Sequence, residues 1–121
     1  RLVLPSGWTG DINNFGNPKM KSGDLVVDFI PIENIANIKR DNLAPTIENY
    51  LAAVPLRPQH VAFDMRNKKL IGDVGIKAIL DKKVEVYNRE AAIYYSNYKK
   101  KSINELIIKL AGELGFEAVM I

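Results

Sequence analysis

Near the end of the chain, Ile103, Leu106, Ile107, Leu110, Ala111 and Leu114 fall at i, i+3, i+4, i+7, i+8 and i+11. A continuous apolar stripe of this period predicts an amphipathic helix. Its start is also marked. Ser102-Ile103-Asn104-Glu105 has the form of a capping box, in which a hydroxyl and a carboxylate each satisfy the other residue's backbone N–H. Gly115 stands where a left-handed residue closes such a helix, and Phe116–Ile121 reads as a strand. Upstream, Ala91–Ser96 is β-favouring and Asn97–Lys101 reads as a loop ending in three lysines. The segment Ala91–Ile121 is thus expected to run strand, basic loop, helix, strand.

The remaining pattern is read in the same way. Residues 1–22 hold Pro5, Gly7, Gly10, Gly16 and Pro18 with Asn13, Asn14 and Asn17, a dense set of breakers. They predict an extended arm whose Trp8, Ile12 and Phe15 pack on a single domain covering residues 23–121. Asp24–Ile32 is apolar on both faces and predicts a buried strand. Ile35 and Ile38 give helical spacing to Glu33–Lys39. Asp41 or Asn42 would cap a second helical stretch, with Pro45 in its first turn and Ile47, Tyr50, Leu51 and Val54 as its apolar face. Pro55 and Pro58 end it.

His60–Met65 reads as a strand, Arg66–Lys69 as a turn and Leu70–Leu80 as the returning strand. Gly72 and Gly75 there mark a bulge or a close backbone approach. Val84–Ser96 reads as a long strand broken near Asn88-Arg89. This order predicts an α+β fold, a central, mostly antiparallel sheet with helices packed on it. A crossover would place Phe116–Ile121 parallel to Ala91–Ser96. Phe116–Ile121 would then be an apolar edge available to a second copy, as a homodimer, or to a missing segment.

Composition narrows the chemistry. The chain has 121 residues, 47% hydrophobic and 26% charged, enough for a core without staples. It has no cysteine, so disulfides, thiol nucleophiles and cysteine-based zinc sites are excluded. The single His60 excludes multi-histidine metal sites. No apolar run approaches the roughly 20 residues that span a bilayer, and no signal peptide is visible. The expected setting is cytoplasmic, away from membranes, and the start at Arg1 rather than Met suggests a piece of a longer protein.

The net charge is +3, with lysines clustered at 68–69, 82–83 and 99–101. The last cluster precedes a helix N-terminus, the end that already carries about half a positive charge. A phosphate bound there would resolve that conflict. The plain alternative is a solvated loop.

Two stretches carry a family resemblance. Asn67–Ile76 (NKKLIGDVGI) resembles the second-to-third-strand hairpin of the GNAT superfamily of N-acetyltransferases. Glu90–Leu106 (EAAIYYSNYKKKSINEL) resembles its fourth strand, pyrophosphate loop and following helix, with Lys101 and Ile103 where the family's loop carries glycine or alanine. The resemblance implies acetyl-CoA as cofactor and a small-molecule or peptide amine as acceptor. Ile93, Tyr94 and Tyr95 would meet the pantetheine arm, and Lys99, Lys100, Lys101 and Ser102 the phosphates. Acetyl transfer needs a base and an acid. Glu90 or Glu85 would be the base, and Tyr95 or Tyr98 the acid.

Other chemistries are open to the same residues. His60 with Arg66, Lys68 or Lys69 would suit a ribonuclease-like module. Asp64, Asp73 and Glu85 lack the Glu-x-Lys spacing of metal-dependent nucleases. Tyr94, Tyr95 and Tyr98 before Lys99–Lys101 would suit a nucleic-acid-binding module, with bases on the rings and phosphates on the lysines. A non-catalytic protein interaction domain of a larger polypeptide is a further reading.

Overall fold

A computed structural model describes residues 3–13 and 16–121. Asn14 and Phe15, read above as breaker and packing residue, and the starting Arg1 lie outside the described residues. The class is α+β, and the chain forms two compact units, Arg1–Pro45 and Thr46–Ile121.

In the first unit, β1 (Thr9–Ile12), β2 (Pro18–Ser22) and β3 (Leu25–Asp28) form an antiparallel meander. Thr9 pairs with Lys21, and Ser22 with Leu25. The described residues among the first 22 are therefore not an extended arm. A boundary at Ser22 would cut the β2–β3 hairpin, which turns through Gly23 at φ 58°. Nor is the 24–32 stretch a buried strand. Only Val27 of β3 is half-buried, because a three-stranded sheet in so short a unit cannot cover both faces. Trp8 is half-buried as an anchor should be, but Ile12 is exposed. A 3-10 turn (Ile32–Asn34) leads into α1 (Ala36–Arg40), whose Ile38 is buried.

The second unit opens with α2 (Ile47–Ala52). Its cap is Thr46, whose hydroxyl accepts from Asn49 N at 3.2 Å, and not Asp41 or Asn42. After a 3-10 turn (Arg57–Gln59), the hairpin of β4 (Ala62–Asp64) and β5 (Lys69–Ile71) pairs Phe63 with Leu70. The returning strand stops there. Gly72 takes φ 109°, and Asp73–Asp81 is the helix α3. Its buried Gly75 and Ala78 and its Lys77–Asp81 ion pair (2.9 Å, i, i+4) have helical spacing, which the β-branched residues of the stretch obscure.

The expected long strand also breaks up. β6 is only Lys83–Val84, and Asn88 caps the helix α4 (Arg89–Lys99). Asn88 Oδ1 accepts from Ala91 N at 3.0 Å, while its Nδ2 donates to Ala52 O at 3.0 Å. The break at Asn88-Arg89 is thus a helix start. Next come α5 (Ile103–Leu114), with the predicted capping box and left-handed Gly115, and β7 (Glu117–Ala118). β7 pairs in parallel with β6, not with Ala91–Ser96. The strands form three small separate sheets rather than one central sheet. The core joins Val84 and Ile107, both fully buried, to Leu56 and Ala111.

Candidate anion-binding site

The lysine run owes its place to two helix ends. Lys100 closes α4 in the left-handed region at φ 56°. Lys100 N donates to Asn97 O at 3.3 Å and Lys101 N to Ser96 O at 3.1 Å, which satisfies two of the last carbonyls of α4. The Ser96 hydroxyl donates to the carbonyl of Lys101. Because Ala91–Ser96 is helical, the lysines sit at a helix C-terminus, the end that attracts cations by about 0.3–1 kcal/mol each. The C-terminus of α4 thus offsets the conflict that the lysines create at the start of α5.

The next helix start is already charge-compensated. Ser102 Oγ accepts from Glu105 N at 3.1 Å, and Glu105 Oε2 accepts from Ser102 N at 2.6 Å. Ser102 is thus committed to capping. An anion seated directly on this terminus would face the Glu105 carboxylate, so the lysine side chains are its better partners.

Those side chains help to line a cavity of about 130 Å³ within the second unit. The loop after α2 and the following 3-10 turn supply Pro55, Leu56 and Gln59. The end of α4 supplies Tyr95 and Lys99, and the connection to α5 supplies Lys101. From α5 come Leu106, Lys109, Leu110 and Glu113. Three lysines against one glutamate make the lining net positive, and the leucines give it an apolar floor. Pockets that enclose a whole ligand usually have about 300–1,000 Å³. This one has room for a single small group.

Of the residues expected at a ligand site, the cavity brings together Tyr95, Lys99 and Lys101. Ile93, Tyr94, Lys100 and Ser102 do not line it. The placement of Ile93, Tyr94 and Tyr95 on a strand is corrected, since their backbone groups belong to the ladder of α4. The strand pairing that the resemblance implied for pantetheine has no strand here. Glu90 lies in the first turn of α4, five residues before Tyr95. Five helical residues separate two positions by about 7.5 Å along the axis and about 140° around it, so these two do not share a face.

Gln59, Lys109 and Glu113 were not singled out in the sequence. Lys109 and Glu113 had a signal, as neighbours of Leu106 and Leu110 on the edge of the α5 stripe. Gln59 had none, because its place depends on the packing of distant segments.

A second cluster surrounds His60. Arg57 Nε lies 3.2 Å from Glu85 Oε1, an ion pair without hydrogen-bond alignment. The His60 ring meets the Tyr87 ring edge-on at 4.7 Å. Arg66 and Lys68 lie in the turn between β4 and β5, Lys69 pairs with Asp64 in β5, and His60 precedes β4. Asp64 is also occupied, accepting from Arg66 N, Asn67 N and Asn67 Nδ2 at 3.0, 3.2 and 2.8 Å. The Asn67 bonds hold its carboxyl below the usual carboxylate range. Among the described residues no cluster of three or more His, Asp or Glu could hold a metal, and no helix is long and apolar enough to cross a membrane.

No protein-family model matches this chain, and no curated protein or solved structure matches it.

Proposed function

We propose that the second unit binds a phosphate-bearing ligand, with the phosphate held in the cavity by Lys99, Lys101 and Lys109. The observation that carries this reading is the convergence of three lysines from two helices and their connection on one small cavity. Lysines placed only for solubility have no reason to converge. Glu113 offsets part of the charge, which favours a singly or doubly charged group over a cluster of phosphates. The apolar floor at Leu106 and Leu110 accommodates the group that carries the phosphate.

Acetyl transfer is not part of this proposal, since the residues meant for pantetheine are helical and Glu90 stands apart from Tyr95. Coenzyme A remains a fair probe, because it ends in phosphates. Titration calorimetry with pyrophosphate, a nucleoside monophosphate and coenzyme A is the test. Binding that is lost in a Lys99→Gln, Lys101→Gln, Lys109→Gln variant of unchanged thermal midpoint is expected. No heat from any probe at millimolar concentration refutes the reading.

A further inference from the structure

α4 is turned inside out. It buries Ala92 alone and exposes Ile93, Tyr94, Tyr95 and Tyr98, the last at 58%. A helix that only served the core would bury its large apolar side chains. Tyr95 and Tyr98 stack on each other at 6.4 Å between centroids and 27° between planes. The Lys99 ammonium lies over both rings, at 5.6 and 5.8 Å. The pair forms an aromatic ledge with a cation built into it, and Tyr95 belongs also to the cavity.

Resting on the anion-binding reading, we infer that the ligand is single-stranded nucleic acid, with one phosphate in the cavity and a base stacked on the outer face of Tyr98. The cavity is too small for a whole nucleotide but joins the ledge through Tyr95 and Lys99. A backbone that leaves a phosphate in the cavity therefore carries its base onto the ledge. Lys100, exposed between Lys99 and Lys101, would meet the next phosphate of the backbone. Stacking on tyrosine is sequence-tolerant, because every base has a π-face, and it requires the base to be unpaired. An apolar protein partner docked on the same aromatic face would leave the lysines unmatched.

Fluorescence polarisation with labelled ten-nucleotide oligouridine and oligothymidine tests this on the full chain. The two arms decide which sugar is accepted, and binding by either supports the inference. One phosphate in the cavity and a second near Lys100 predict a salt slope near −1.4, or roughly sevenfold weaker binding between 50 and 200 mM salt. Tyr98→Ala should weaken binding roughly fivefold to hundredfold, the range for losing one stacked base. The triple Lys99→Gln, Lys101→Gln, Lys109→Gln variant should abolish it. A control that neutralises Lys68, Lys69 and Lys82 to Gln removes equal charge elsewhere and should leave most of it. Equal losses from both triple variants, or no effect of Tyr98→Ala in a folded protein, overturn the inference as diffuse polyanion attraction. Pyrophosphate binding without oligonucleotide binding overturns the inference and spares the anion site. Loss of both overturns both.

Discussion

Gly75 N donates to the backbone carbonyl of His60 at 3.0 Å, and the contact is so close that no side chain fits there. A Cβ on Gly75 would lie 2.1 Å from that oxygen, and one on Gly72 2.3 Å. Both obstacles are backbone, so neither can swing aside. Gly75→Ala should therefore destabilise the second unit by about 3 kcal/mol, the upper part of the range for overpacking. Urea denaturation followed by tyrosine emission reads this selectively, because all five tyrosines lie in the second unit. An unchanged midpoint would show that α3 does not dock this closely.

Ser102 was a candidate phosphate ligand and is found as a helix cap, so its removal should affect stability and not affinity. Ser102→Ala should lower unfolding free energy by about 1 kcal/mol, the usual cost of a lost cap. Its affinity for pyrophosphate should stay within about twofold. A large loss of affinity with no loss of stability would return Ser102 to the ligand set.

Lys100 adopts a left-handed conformation that suits glycine better. Lys100→Gly should stabilise the protein by about 0.5–1 kcal/mol, provided the relief of strain exceeds the added entropy of the unfolded chain. Thermal denaturation at fixed salt checks it. Lys100, unlike Lys99 and Lys101, does not line the cavity, so the change should leave pyrophosphate affinity within about twofold.

Glu113 is the one acidic side chain among the residues lining the cavity. Removing a like charge near a bound anion is worth about 1 kcal/mol at 4 Å in water, less when screened. Glu113→Gln should thus tighten pyrophosphate binding a few-fold at low salt. Weaker binding would mean that the carboxylate orients a lysine.

The carboxyl of Asp64 is held below its ordinary range by its bonds from Asn67 and Arg66, and that of Asp81 by Lys77. A lowered native pKa means that the unfolded chain binds the proton first. The contribution is present above the ordinary carboxylate range and is lost as pH falls through the lowered native value. Both groups are exposed, so the effect should be local. The Asn67 amide resonance should titrate below pH 3.8, the ordinary Asp value. Asp64→Asn should remove that transition.

The α5 helix was legible in full. Its stripe, capping box and terminal glycine are local signals that agree with one another; Leu106, Ile107 and Ala111 of the stripe are buried, whereas Leu114 at its end is exposed. The α2 face was legible, and so was the close approach at Gly72 and Gly75. The α3 and α4 helices were not. In Asp73–Asp81 and Arg89–Lys99, Val, Ile and Tyr have strand preferences that outweigh short helical patterns when each is judged alone.

What decides α4 is non-local, since Asn88 caps the helix and simultaneously ties it to Ala52, 36 residues away. Once Ala92 is packed against the core, the aromatics face outward. The lysine run shows the same division. The sequence determined that three lysines meet a capped helix at Ser102. Only the tertiary structure decided that they also close α4, and that Lys109 and Gln59 complete the cavity beside two of them. Local bonding terms are written in consecutive residues, whereas a cavity is made by segments that meet only after folding.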